Sequence, residues 1–368
     1  MSSITFPIET EALVVGAAGA GFKRQPVTIT GMRADEVLVE MLYTGICHTV
    51  SCYTELPQID AITWFNCQNW ILPLYTHKIL QDIVGEAGMF PQSVYPMIFG
   101  HEGGGIVRAI GSEVGYPELA IGDAVICCYK YCQECKPCKA GRPAACARHG
   151  DMNVAGVRKD GTTPYLLADG QPVRFQFYGQ SSFARMAVVA AVSVVRCPYP
   201  GSLEIYSAMG CGFQTGAGTI LNALQPPVDK SLAIFGIGGV GMTAIMGAKI
   251  LGLKKIVAVD MVPEKLEMAK KLGATDVVNT KETPDIAKTV QEATNGGADY
   301  IVECTGVPVL LEALVDSTAA EGICATLGVP PKGYKLPVNT LDILLDNKTL
   351  RGIVQGESLS RNVGPPQL

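Results

Sequence analysis

Four cysteines, Cys132, Cys135, Cys138 and Cys146, crowd into the run YCQECKPCKAGRPAAC with two, two and seven residues between them. Soft thiolates at that spacing, on a stretch rich in turn formers, are the donor set of a closed tetrahedral structural zinc site. A second set is dispersed: Cys47 in GICHT, His101 in GHEGGG and Cys211 in GCGF. Each alone reads as a core residue. Together they form a Cys/His/Cys set, an arrangement that holds zinc through three ligands and leaves a fourth position open for chemistry. A third constellation is Gly236-Ile237-Gly238-Gly239-Val240-Gly241, with Asp260 about 20 residues beyond it, as a dinucleotide site requires. Gly236 would make the tight turn, Gly238 would let backbone N–H groups approach a pyrophosphate, and Gly241 would let a helix pack on its strand. The helix N-terminus adds partial positive charge. Asp260 would accept from both ribose hydroxyls and repel a 2′-phosphate, favouring NAD without excluding NADP.

These residues need elements to position them. The aliphatic run Leu232–Phe235 precedes the glycines, a helix-period stretch comes after them, and Ile256–Val259 ends on Asp260, so strand, turn, helix and strand are expected in that order. Further along, Pro263–Leu272 and Thr283–Thr294 read as helices. Asp276–Val278, Asp299–Cys304, Gly322–Leu327 and Leu350–Val354 read as strands of a doubly wound sheet. The N-terminal third looks different. Ala12–Val15 and Val27–Thr30 flank the glycine turn GAAGAG, and Glu36–Leu42 alternates as an antiparallel strand does. GAAGAG leads into FKRQP rather than into a helix, so that turn is expected to close a hairpin. Ala124–Cys128 reads as a strand, with Cys127 and Cys128 as strand residues rather than ligands.

The whole chain narrows the possibilities. Its 368 residues suffice for two domains. A formal net charge of −5 with no dense basic run argues against nucleic acid as a partner, and against a zinc ribbon that reads it. No apolar stretch reaches membrane-spanning length, and the N-terminus lacks a secretory pattern, so the expected location is the cytosol with no membrane association. In that compartment the thirteen cysteines are expected to be thiols or metal ligands.

GICHT, GHEGGG, the four-cysteine lobe, GCGF and GIGGVG occur in the order found in the zinc-dependent medium-chain alcohol dehydrogenases, and the chain resembles that family over nearly all its length. The segment FYGQSSFA, residues 177–184, is similar to the aryl and benzyl alcohol branch. The resemblance implies a mostly antiparallel GroES-like catalytic domain over 1–210, with its zinc lobe at 127–150. It further implies an NAD-binding Rossmann domain over 211–349 and a return to the first domain over 350–368. It implies two zinc ions, the catalytic one on Cys47, His101 and Cys211. Thr49 would bond the substrate oxygen and relay its proton, His48 would lie near the pyrophosphate, and Glu102 would assist ligand exchange. Lys265 would join Asp260 at the adenosine ribose, and Val329 would lie near the nicotinamide. The implied activity is hydride transfer between a bulky or aromatic primary alcohol, or its aldehyde, and NAD(P), by a homodimer or homotetramer.

Two departures qualify this. Residues 50–81 make the gap from Cys47 to His101 far longer than the family shows, and hold both tryptophans, Trp64 and Trp70. Removing them joins Thr49 to Asp82 and restores a CHTD motif with nearly the usual ligand spacing. Valine codons begin with GT, a glutamine codon can end in AG, and whole codons keep the frame, so the segment reads as a translated intron. A genuine lid or oligomerisation loop is the alternative. The second departure is the ending LSRNVGPPQL, where the family continues with a return helix and strand. Both leave open a catalytically impaired remnant that keeps only the structural zinc.

Overall fold

The computed structural model describes residues 4–45, the backbone of residues 64–66, residue 88 and residues 94–359. They pack as two compact units, one ending its main run at Cys211 and the other running Gly212–Ser358.

In chain order the strands of the first unit are β1 (Ile8–Val15), β2 (Phe22–Ile29), β3 (Glu36–Gly45), β4 (Trp64–Asn66), β5 (Met97–Ile98), β6 (Gly103–Ile110), β7 (Ala124–Cys127), β8 (Tyr165–Leu167), β9 (Pro172–Val173), β10 (Met186–Ala190) and β11 (Val194–Arg196). One sheet has the order β5-β1-β2-β8-β9; the other has β10-β3-β6-β7-β11, with β4 beside β3. Their ladders are antiparallel. Residues 16–21 close the expected hairpin, Val15 standing opposite Phe22. The alternation expected in Glu36–Leu42 is absent from the first half, where Glu36, Val37, Leu38 and Val39 are all buried. Over Val37–Val39 both faces of the strand carry buried side chains, and alternation returns only at the partly exposed Glu40 and Leu42.

Glu36, which opens β3, is also buried. Its carboxylate accepts from Arg158 Nε at 2.8 Å and Nη2 at 2.6 Å, from Gln176 Nε2 at 2.9 Å and from the Arg33 amide at 2.9 Å. A charge so far from water is tolerable only with this degree of pairing.

The second unit carries β12 (Ser231–Phe235), β13 (Lys255–Asp260), β14 (Asp276–Asn279), β15 (Ala298–Glu303), β16 (Thr318–Thr326) and β17 (Thr349–Gly352). They pair in parallel in the order β14-β13-β12-β15-β16-β17. This is the doubly wound Rossmann arrangement, and the order reverses between β12 and β15. Side chains alternate across the sheet: Leu232 and Ile234 enter one core, Ala233 and Phe235 the other. The helix expected from Thr283 begins at Ile286. Pro284 disfavours helical backbone at Thr283, and Asp285 caps the helix by accepting from the Lys288 amide at 2.9 Å. Leu350 pairs with Cys324, and the chain stays with this unit to Ser358, nine residues past the boundary expected at 349. No helix among the described residues is long and apolar enough to cross a membrane.

Arg158→Met strands the Glu36 charge in the core, and an expected loss of about 3–5 kcal/mol should appear in urea denaturation. Arg24→Met removes an ion pair with Glu11 whose side chains are 51% and 32% exposed. That change should cost less than about 1 kcal/mol in the same assay.

Candidate metal centres and nucleotide turn

The four-cysteine lobe is built locally. Gln133 sits at φ +63°, a short helix spans Lys136–Lys139, and a 3₁₀ turn spans Pro143–Ala145. These reversals bring Cys132, Cys135, Cys138 and Cys146 together with all four Sγ atoms within 4.8 Å of one another. The Cys132–Cys138 and Cys135–Cys146 sulfur pairs are each 3.9 Å apart. Sulfurs placed tetrahedrally at zinc's usual bond length stand about 3.8 Å apart, so the donor set fits that ion. Backbone amides already point at the sulfurs: Cys135 N–H donates to Cys132 Sγ at 3.3 Å and Arg148 N–H to Cys146 Sγ at 3.4 Å. The amides of Cys138 and Ala147 hold the Cys135 thiol down at about 6, whereas burial pushes Cys138 up to about 12. Buried Asn153 fastens the lobe's exit. Its amide donates to the Lys130 and His149 carbonyls, both at 2.9 Å, and accepts from the Lys130 amide at 2.8 Å.

The second cluster is assembled across the first unit. His101, Glu102 and Cys211 each offer one ligand atom, these atoms lie within 4.8 Å of one another, and all three residues are buried. Cys47, Thr49 and His48 lie outside the described residues, as does Asp82. The pairing of an imidazole with a thiol in a buried pocket is a donor chemistry that suits zinc. Cys127 and Cys128 are buried at the end of β7 and join neither cluster.

The stretch 176–183 aims His101. Gln180, wholly buried, donates from Nε2 to the His101 carbonyl at 2.8 Å and accepts from the Gly103 amide at 2.9 Å. Ser181 donates to the Ile98 carbonyl at 2.6 Å, and Ser182 Oγ stands 2.7 Å from Thr44 Oγ. The imidazole packs against Tyr178 and Phe177, with ring centroids 4.9 and 5.7 Å away. Glu102 presses on Gly45, where any Cβ would lie 2.2 Å from its carboxylate oxygen. In the sequence, Gln180 stands out only as one letter of the FYGQSSFA resemblance. Its partners lie almost eighty residues away, and no spacing rule points to it.

In the second unit, Gly236 follows β12 at φ +88°, and a Cβ there would strike the Thr305 methyl at 2.2 Å. Gly238 caps the helix Gly239–Ile250 and has open space around it, while a Cβ on Gly241 would meet the Gly236 carbonyl at 2.1 Å. Val240 lies in the first turn of that helix. Open space over exposed helix-end amides is the cradle an anion needs. Asp260 ends β13 and is already engaged: it accepts from the Ile237 amide at 2.7 Å, Met261 at 2.8 Å and Val262 at 3.0 Å. Its carboxylate therefore braces the glycine turn in addition to any role at a ribose. Lys265 stands half-buried in the helix that starts at Pro263, and Val329 is half-buried just past β16.

A family model described as zinc-binding dehydrogenase matches residues 239–363, and one described as alcohol dehydrogenase GroES-like domain matches residues 76–199. The chain is similar to geraniol dehydrogenase of Castellaniella defragrans, 31% identical over 351 residues, covering 95% of this chain and 84% of that protein. It is similar to a probable alcohol dehydrogenase of a Pseudomonas species, 36% identical over 283 residues, covering 75% of this chain and 87% of the relative. Among solved structures, benzyl alcohol dehydrogenase from Acinetobacter calcoaceticus superposes with a TM-score of 0.81 at 33% identity. An alcohol dehydrogenase zinc-binding domain protein from Burkholderia ambifaria gives 0.83 at 36%. Each covers 97% of this chain and 87% of its own.

Gln180→Leu removes the bonds that Gln180 makes to the buried His101 carbonyl and Gly103 amide, at about 1–3 kcal/mol each. The thermal midpoint should fall, and elemental analysis should show metal lost from the His101 cluster while the four-cysteine lobe keeps its own.

Proposed function

The chain belongs to the zinc-dependent medium-chain alcohol dehydrogenases, oxidoreductases that use NAD(P), and we propose that its substrate is a bulky or aromatic primary alcohol or the matching aldehyde. The observation that carries the reading is the meeting of His101, Glu102 and Cys211 in one buried cluster, from positions far apart in the chain. Two similar proteins support the substrate class. One is named for geraniol and one for benzyl alcohol, both primary alcohols whose carbinol carbon adjoins a π-system.

Cys47, His101 and Cys211 would hold the catalytic zinc, and Cys132, Cys135, Cys138 and Cys146 the structural one. Zinc supplies Lewis acidity at the alcohol oxygen, and the nicotinamide supplies a hydride acceptor. The chain's own residues do the remainder. Thr49 would take the hydroxyl proton and pass it toward solvent, and Glu102, beside the ligand set, would assist exchange. His48 and the amides from Gly238 to Gly241 would face the pyrophosphate. Asp260 and Lys265 would hold the adenosine ribose, with the Asp260 charge favouring NAD, and Val329 would line the nicotinamide end. The balance is alcohol plus NAD⁺ giving aldehyde, NADH and a proton.

A homo-oligomer and a cytosolic setting are part of this reading. The sheet edge at β17 and the exposed Leu341, Leu344 and Leu345, which precede it in sequence, support self-association. Thirteen cysteines, several of them read as zinc ligands, are usage that suits a reducing compartment. A second reading, an impaired remnant or mis-spliced product, is favoured by one observation. The GroES-like match begins at residue 76, well past Cys47, and so leaves out most of 50–81.

Zinc per chain on the purified protein separates the two. Two zincs with NAD-dependent turnover of benzyl alcohol and geraniol are expected. A single zinc that disappears in Cys135→Ser, with no turnover, would assign the activity to the form lacking residues 50–81.

A further inference from the structure

The carboxyl ends of β12, β15 and β16 lie side by side, and each leads into a turn. The outer two are the Gly236 turn and the Gly328-Val329 turn; between them stands Cys304-Thr305-Gly306. Where strand order reverses, such a crevice is where a doubly wound sheet takes its ligand. The three turns are in close contact. The Thr305 methyl fills the space a Cβ on Gly236 would need, at 2.2 Å, and a Cβ on Gly306 would stand 2.3 Å from the Val329 carbonyl. Moving the middle turn moves both of its neighbours.

One side chain organises that middle turn. Glu303, the last residue of β15, is fully buried. Its carboxylate accepts from the Thr305 amide at 2.6 Å, from the Thr305 hydroxyl at 2.5 Å, and from the Gly306 amide at 2.9 Å. Its carbonyl accepts from the Leu327 amide at 2.8 Å and the Gly328 amide at 3.3 Å, tying in the third turn. No lysine or arginine pairs with it among the described residues, so backbone and hydroxyl donors alone compensate the charge. Burying an acid at such cost in a sheet that could carry an aliphatic residue there calls for a return.

We infer that Glu303 is a positioning residue for the dinucleotide: its carboxylate fixes the Cys304–Gly306 turn as the wall that joins the pyrophosphate turn at Gly236 to the nicotinamide end at Val329. This rests on the reading of those two segments as cofactor-binding. Glu303 touches no reacting atom. It acts through Thr305 and Gly306, and it belongs to the pyrophosphate–nicotinamide half of the site. The adenosine half, braced by Asp260, does not depend on it.

That asymmetry supplies the test, by calorimetric titration of the purified chain with NADH and separately with AMP. Glu303→Gln keeps the shape and one acceptor oxygen, but it removes the charge that holds three short bonds on Oε1 and turns an amide NH2 toward the Gly306 amide, which now reaches Oε2 at 3.1 Å. NADH affinity is expected to fall at least tenfold, AMP affinity to stay within twofold, and zinc content to be unchanged. Thr305→Val, which removes one hydroxyl from the same turn, should weaken NADH several-fold with the same selectivity, and it serves if Glu303→Gln does not fold. Equal loss for NADH and AMP, or no loss for either, overturns the inference while wild-type binding upholds the cofactor reading. A wild-type chain that binds neither nucleotide removes the cofactor reading and the inference with it.

Discussion

A buried histidine cannot rely on water or on its own flexibility to find a ligand geometry; its backbone has to be held. Here the holding is done by one amide side chain. Gln180 binds the carbonyl of His101 and the amide two residues on, so the peptide carrying the imidazole is clamped at both edges. The clamp requires a contorted chain. Gln176, Tyr178 and Ser181 all sit at left-handed φ, of 58°, 50° and 56°. Such backbone costs of order 1–3 kcal/mol per residue and persists only where surrounding contacts over-determine it. The Gln180 and Ser181 bonds, the edge-on and tilted packing of the Phe177 and Tyr178 rings, and the anchoring of Gln176 by Glu36 and Lys130 supply that constraint.

The second unit uses the same physics with acids in place of amides. Asp260 gathers three backbone amides at the end of β13, and Glu303 gathers two amides and a hydroxyl at the end of β15. Loops at the carboxyl ends of parallel strands have no ladder to satisfy their N–H groups. A buried carboxylate satisfies several at once, and charge-assisted bonds to it are the stronger kind. The glycine turn is thus held from one side by Asp260 and packed from the other by Thr305.

The two metal clusters differ in how far their ligands must travel. In the lobe, turns within fifteen residues set the sulfur spacing, and neighbouring amides aim at the sulfurs. At the other cluster, His101 arrives from the stretch before β6 and Cys211 from a 3₁₀ turn after β11. Its geometry depends on the packing of the whole first unit, so a substitution as remote in sequence as Gln180 bears on it.

Residue type and local spacing were enough to read the four-cysteine lobe, the strand–glycine–helix unit ending at Asp260, and the alternation of helices and strands beyond it. Each is short-range, and the chemistry of a thiolate cluster or a glycine turn is carried by neighbours in sequence. The same information missed that the first half of β3 is buried on both faces and that Pro284 and Asp285 delay a helix to Ile286. Those depend on what packs against a strand or competes for a backbone donor. Tertiary structure alone decided that Gln180 clamps His101, that Arg158 neutralises Glu36, and that Glu303 ties three turns together. In the first two cases partners dozens of residues apart meet only when sheets close over them. In the third, a glutamate in a strand pattern shows its purpose only once two neighbouring strands have placed their turns beside its own.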